Sequence, residues 1–172
     1  MRWVPISSYL VIPLLLFLAI LQSSVTSHIR VLGVSPDLVL LFSISWALLE
    51  GTREGLFVSL VGGATLDALS GTPFGLSILS LLIVSYLASV GAINVFLAAK
   101  LLPYIAVALA TLIYNGVFLG LLQMTGRVVI WGPTLWRVVF PAMLVNTACM
   151  PVVYNLVLWI HNRTHLQTVE WE

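Results

Sequence analysis

Apolar residues fill this chain in long blocks, and polar residues are gathered in the short gaps between the blocks. A membrane-spanning helix needs roughly 20 predominantly apolar residues. The blocks predict six such helices, two of them short, over residues of about 4–24, 36–49, 56–69, 74–96, 101–124 and 135–160. We therefore predict an all-α fold: a polytopic membrane bundle of about six transmembrane helices, forming a single integral membrane domain over residues 1–172.

Polar residues predict how the second span begins and ends. The triplet Ser35-Pro36-Asp37 stands directly before its apolar run. A serine hydroxyl can cap a helix, proline suits the first helical position, and a carboxylate is favoured at the positive end of the helix dipole. We therefore expect Ser35 to cap the second helix, Pro36 to open it and Asp37 to face its amino end. A tight charged turn from Glu50 to Glu54 is expected before the third span.

Composition supports a membrane protein and removes one class of function. Hydrophobic residues make up 60% of the chain and charged residues 8%, against about 25% charged residues in a soluble domain. The net charge of +1 comes from 7 basic and 6 acidic residues that form no basic cluster, so nucleic-acid binding is not expected.

The basic residues also bear on orientation, because six spans put both termini on one side of the membrane. Those predicted on the side of the termini are Arg2, Arg53, Lys100 and Arg163; those on the opposite side are Arg30, Arg127 and Arg137. The positive-inside rule therefore favours cytoplasmic termini.

Small or polar residues recur at every fourth position around the third span. They are Gly51, Gly55, Ser59, Gly63, Asp67, Gly71 and Gly75. Residues four apart share one ridge of a helix, so Gly55, Ser59 and Gly63 form a strip, with Gly62 beside it, that lets a second helix approach closely. The pattern leaves open whether that helix belongs to this chain or to a partner protein. Gly71 and Gly75 are expected to take positive φ in the turn before the fourth span.

Asp67 falls deep inside a predicted span. It follows Glu54 by 13 residues (67 − 54), which is roughly 20 Å of helix in a hydrocarbon core about 30 Å thick. A carboxylate there costs about 2.5–3.5 kcal/mol on insertion scales, so it should be paired, protonated or open to water. It could bond the backbone of the Gly71 turn at a helix end, contact a partner, or line an ion or substrate pathway. Arg30 and Arg137 are candidate ion-pair partners.

Other polar residues in the predicted spans include Asn115, Asn146 and Asn155. Asparagines inside membrane bundles usually hydrogen-bond across helices. We expect these side chains to link helices within the bundle.

The motifs that carry catalysis or metal binding are missing. The sequence has no H-E-x-x-H, P-loop or nucleophile-elbow pattern, and its single cysteine, Cys149, has no partner for an intrachain disulfide. His161 and His165 have the spacing of a metal pair but lack a third ligand other than the tail residues Glu170 and Glu172. We predict no catalytic residue, no metal, no cofactor and no enzymatic activity.

In its order of motifs, the chain resembles the rod shape-determining protein MreD family. The motifs are a first span that ends in Leu21-Gln22-Ser23-Ser24, the segment Gly33-Val34-Ser35-Pro36-Asp37-Leu38, the pair Gly51 and Gly55, and the run Gly62-Gly63-x3-Asp67-x3-Gly71-x3-Gly75. The family's pattern in the third span is similar to Gly-Phe-x2-Gly-Leu-x2-Asp, whereas this chain begins that segment with Ser59. The second half resembles the family only in hydropathy and length.

The resemblance implies a non-catalytic scaffold of the cell-elongation complex in the bacterial inner membrane. It implies that the chain binds MreC and, directly or through MreC, works with MreB, RodA and a penicillin-binding transpeptidase to organise peptidoglycan synthesis and rod shape. It also implies an architecture similar to the substrate-binding S components of energy-coupling-factor transporters.

Two functions from different classes compete at this point. In the first, a groove lined by the second and third spans and the Gly71–Gly75 turn receives the single span of a partner such as MreC, through the motif residues Pro36, Asp37, Gly51, Gly55, Gly62, Gly63, Asp67, Gly71 and Gly75. In the second, Asp67 and the asparagines line the pocket of a substrate-binding subunit of a vitamin-type transporter. A structural membrane protein of unrelated role is the third possibility.

Overall fold

The computed structural model describes residues 6–28, 33–94 and 102–165. The helices are α1 (Ile6–His28), α2 (Leu38–Glu50), α3 (Thr52–Ser70), α4 (Leu76–Asn94), α5 (Leu102–Met124), α6 (Trp131–Thr134) and α7 (Phe140–His165), and a π-helical turn, Leu135–Val139, joins α6 to α7. These three ranges contain no β-strand. The all-α prediction is confirmed, with six long helices at the six predicted positions.

Helix α2 is the centre of the bundle. It packs against α1, α3, α4, α5 and α7, and every residue from 39 to 48 is buried. Its largest side chains, Phe42 and Trp46, stack with ring centroids 5.6 Å apart. Because all its sides are covered by protein, α2 is hydrophobic all round rather than along one stripe.

The start of α2 differs from the prediction. Asp37, and not Ser35, is the N-cap residue, since its side chain accepts a hydrogen bond from the Leu40 amide and the helix begins at Leu38. Pro36 therefore precedes the helix instead of opening it. A carboxylate at the N-cap satisfies an amide that the helix itself leaves without a partner.

The start of α3 also differs. The charged turn predicted from Glu50 to Glu54 is reduced to Gly51 alone, and α3 already begins at Thr52, with Glu54 in its first turn. An acidic side chain is stabilised there by the helix dipole. The third helix is therefore 19 residues long rather than short.

The last span begins earlier than predicted. The chain turns helical at Trp131 and passes through the π-helical turn before Pro141, which stands second in α7. A proline lacks the N–H group that would bond one turn back, and a local change of helical pitch accommodates this defect.

Two of the described stretches are long and apolar enough to cross a membrane, Pro103–Met124 and Trp131–Arg163. Three shorter helices are also apolar, Val11–Ser24, Leu38–Glu50 and Leu76–Gly91. The six membrane crossings therefore stay a prediction. The basic residues Arg2, Arg30 and Lys100 lie outside the described residues.

Candidate functional site

Three glycines of α3 lie where the neighbouring helices come closest. A Cβ atom placed on Gly55 would lie 2.5 Å from the Ala47 Cβ atom of α2, and one on Gly62 would lie 2.7 Å from Val39 Cγ1. A Cβ atom on Gly63 would lie 2.6 Å from the Cα atom of Ile78 in α4. Carbon atoms in favourable contact lie about 3.5–4.0 Å apart, so no side chain fits at these positions without moving a neighbour.

The glycine strip predicted from the sequence is therefore filled from within the chain. Gly55 and Gly62 meet α2, Gly63 meets α4, and Ser59 between them is fully buried. The hypothesis that a partner's helix packs in a groove lined by the second and third spans is wrong for these glycines, because α2 and α4 already occupy the strip.

The remaining glycines of the ladder shape the ends of α3. Gly51 separates α2 from α3 with a φ of +87°, and Gly71 ends α3 in the left-handed region with a φ of +62°. Gly75 precedes α4 with a φ of +104°. The positive φ predicted for Gly71 and Gly75 is confirmed. Glycine is favoured at such positions because a Cβ atom would clash with the backbone.

Asp67 caps the amino end of α4 from the last turns of α3. Its Oδ2 atom accepts hydrogen bonds from the amides of Gly75, at 2.8 Å, and Ile78, at 3.3 Å, and its Oδ1 atom accepts one from the Ser77 amide at 2.9 Å. The residue is only 4% exposed. Three amides and the positive end of the α4 dipole therefore compensate the burial of the carboxylate.

This arrangement decides between the interpretations of Asp67. It is a helix-end residue bonded to backbone, as one interpretation predicted, but the amides belong to Gly75–Ile78 rather than to the Gly71 turn. Arg137 is exposed and forms no ion pair with Asp67, and Arg30 lies outside the described residues. The sequence did not show these partners, because it is the folded α3–α4 turn that brings the amides at the start of α4 back to Asp67.

Asp37 joins three elements at the amino end of α2. Its Oδ1 atom accepts from the Leu40 amide at 3.0 Å and from Gln22 Nε2 of α1 at 3.1 Å. Gln22 in turn accepts from the Val39 amide through its Oε1 atom at 3.0 Å. The glutamine side chain thus satisfies a second amide at the start of α2, beside the one that Asp37 caps, and ties that helix to α1. Nothing in the local sequence pairs Gln22 with a helix that begins 16 residues later (38 − 22).

Asn146 extends these contacts to α5 and α7. Its Oδ1 atom accepts from the Asp37 amide at 2.9 Å, and its Nδ2 atom donates to Thr111 Oγ1 at 3.2 Å. Asn146 is 1% exposed and Thr111 is fully buried. The prediction that asparagines link helices is confirmed for Asn146. Asn115 instead donates to the Thr111 carbonyl of its own helix.

A second polar contact lies at the opposite end of α2. His161 Nδ1 of α7 is 2.8 Å from Glu50 Oε1, and both side chains are partly exposed. The sequence suggested only a weak metal pair for His161. In the ranges that the structure describes, no group of three His, Cys, Asp or Glu side chains is placed to hold a metal ion.

Comparison with known proteins identifies the family. The family model described as rod shape-determining protein MreD matches residues 5–169. The chain belongs to the MreD family. No curated protein and no solved structure matches it. The similarity to transporter S components therefore stays a prediction.

Membership of the MreD family gives the chain a role in rod shape determination, as a membrane protein of the rod-shape system. The family is one of structural proteins and not a known enzyme family. Three of the residues through which the chain resembles MreD, Gly62, Gly63 and Asp67, fix α3 against α2 and α4. In this chain these residues make contacts within the helix bundle.

Proposed function

We propose that the chain is a non-catalytic scaffold that binds MreC directly and helps organise peptidoglycan synthesis in the cell-elongation complex. It works with MreB, RodA and a penicillin-binding transpeptidase, directly or through MreC. It lies in the bacterial inner membrane as a multi-pass protein, in contact with lipid, with both termini in the cytoplasm. The MreD match over residues 5–169 is the observation that carries the proposal.

The interior of the bundle supports a scaffold. Both oxygens of Asp67 are bonded to amides of α4, and Asn146 is bonded to α2 and α5. These are the groups that the competing transporter function needs free in a pocket.

The outer surface is where MreC is expected to bind. Many exposed side chains of the long helices are large and apolar, for example Phe57 of α3, Leu87 of α4 and Leu109 of α5. Helices associate within a membrane through side-chain packing and hydrogen bonds. The motif residues Pro36, Asp37, Gly51, Gly55, Gly62, Gly63, Asp67, Gly71 and Gly75 then act indirectly, by holding these helices in position.

Co-purification tests the proposal. The tagged chain is co-expressed with MreC and purified in mild detergent, and the yield of MreC is compared between variants. We expect the wild type to retain MreC. Gly63→Leu should lose both the fold and MreC, because the new side chain would separate α3 from α4.

A matched control uses a glycine in open space. A Cβ atom on Gly116 of α5 would meet nothing within 4 Å, so Gly116→Leu, which adds the same side chain, should leave the fold intact. Folded wild-type protein that recovers no MreC would refute direct binding. A stoichiometric small molecule found by native mass spectrometry would support the transporter function instead.

A further inference from the structure

Asn155 is a polar side chain on the outer face of α7. It is exposed, and its amide group forms no hydrogen bond with any of the residues that the structure describes. The other two asparagines of the predicted spans with described side chains, Asn115 and Asn146, are both hydrogen-bonded within the chain. The prediction that asparagines link helices inside the bundle is therefore wrong for Asn155.

The direction of this side chain follows from helix geometry. Met150, which is fully buried, marks the inner face of α7. Five residues at about 100° each place Asn155 roughly 140° around the helix axis from Met150. Its neighbours on the outer face are Leu144, Val152 and Trp159, which are 58%, 72% and 55% exposed. An amide therefore stands within an apolar stripe that faces away from the bundle.

The position of Asn155 along α7 makes an amide with no hydrogen-bond partner among the described residues costly. Arg163 lies over the Trp159 ring, 4.6 Å from its centroid; tryptophan is enriched at the membrane–water interface, and an arginine near a helix end reaches it. Asn155 is one turn closer to the middle of the span, about 6 Å further along the helix. A group with donors and an acceptor is disfavoured in hydrocarbon unless another protein group bonds to it.

We propose that the outer face of α7 binds the same face of a second copy of this chain, with the two Asn155 amides hydrogen-bonded to each other. An amide carries both a donor and an acceptor, so it is complementary to itself. Two copies in one membrane have the same orientation, and a two-fold axis along the membrane normal places both amides at the same depth. A helix from another protein would have to match that depth independently.

Cysteine cross-linking in native membranes tests this contact. The native cysteine is first removed as Cys149→Ser. Val152→Cys then places a thiol on the outer stripe, and Val153→Cys, at the adjacent position that packs against the core, is the matched control. With an oxidant, Val152→Cys should form a disulfide-linked dimer and Val153→Cys should not. Equal cross-linking at the two positions would overturn the proposal.

The role of the amide is tested in the Val152→Cys protein. Asn155→Leu should weaken the dimer roughly 3- to 20-fold, the range given by interhelical hydrogen bonds in membranes, whereas Asn155→Gln should retain most of it. The dimer fraction is measured by energy transfer between labelled copies in vesicles at increasing lipid-to-protein ratio. A dimer that Asn155→Leu leaves unchanged would overturn the proposal.

The outcome is separable from MreC binding, which co-purification measures independently. If the wild type is monomeric in vesicles and Asn155→Leu loses MreC, the amide serves a partner's helix and the two-copy contact is wrong. If the dimer persists in a preparation without MreC and depends on Asn155, the two-copy contact stands whether or not the chain binds MreC.

Discussion

Removing the Asp67 carboxylate is the most direct test of how the fold is held together. In Asp67→Ala, the amides of Gly75, Ser77 and Ile78 lose their acceptor at the amino end of α4. Asp67→Asn has almost the same shape but keeps a single acceptor oxygen and loses the charge. The two variants therefore separate the loss of all three bonds from the loss of the charge.

The magnitude follows from the number of amides left without a partner. An unsatisfied buried donor costs about 1–3 kcal/mol, and loss of a helix cap costs about 0.5–2 kcal/mol. Some of these amides will reach water in the variant, so we expect Asp67→Ala to lower the free energy of unfolding by about 3–5 kcal/mol. Asp67→Asn should lower it by about 1–2 kcal/mol.

Thermal unfolding in detergent, followed by tryptophan fluorescence, measures the loss. At about 2–4 °C per kcal/mol, Asp67→Ala should lower Tm by roughly 5–20 °C. Leu69→Ala is the matched control, since Leu69 is 46% exposed in the same last turn of α3 and has no polar side-chain atom, and it should change the free energy of unfolding by less than about 0.5 kcal/mol. An Asp67→Ala protein as stable as the control would refute the capping role of this carboxylate.

Three further perturbations test the packing and the polar contacts, each by the same unfolding assay. Gly63→Ala should destabilise the fold by about 1–3 kcal/mol, because its Cβ atom would meet the backbone of Ile78; Gly116→Ala in open space should be neutral or stabilise by up to about 1 kcal/mol, and equal effects would contradict the packing argument. Asn146→Leu should cost about 1–3 kcal/mol, since it removes the acceptor of a part-buried backbone amide, and an unchanged Tm would show that water replaces the side chain. His161→Ala should cost only about 0–1 kcal/mol, because the contact with its carboxylate partner is partly exposed, and a loss above about 2 kcal/mol would mean that the pair is shielded from water.

The sequence predicts the helices well because hydrophobic blocks and glycine spacing are local properties. It placed the six long helices and the left-handed turn at Gly71. It also put Asp67 deep in a span, whereas the residue lies in the last turn of α3. Helix ends were less accurate: α3 begins at Thr52 because the charged residues after Gly51 fit inside its first turn. Hydropathy alone counts such residues as loop.

The contacts of the candidate site were mostly beyond the sequence, because they depend on which helices become neighbours. Glycine spacing left the occupant of the α3 strip open, and only the positions of Ala47 and Ile78 show that it lies within the chain. The acceptor of the Asp37 amide is Asn146, 109 residues away. Asn155 and Asn146 look alike in sequence, and only the rotation of α7 about its axis separates them.

The enclosure of α2 has a consequence for how the protein is made. Its neighbours include α7, which is synthesised well after α2, and the amide of Asp37 has its acceptor, Asn146, in that helix. Until α7 is synthesised, the side of α2 that α7 will cover must face lipid or an insertion factor. Enclosure of α2 is therefore a late event in biogenesis. A chain that stops before α7 exposes the uncovered side of α2 to membrane proteases.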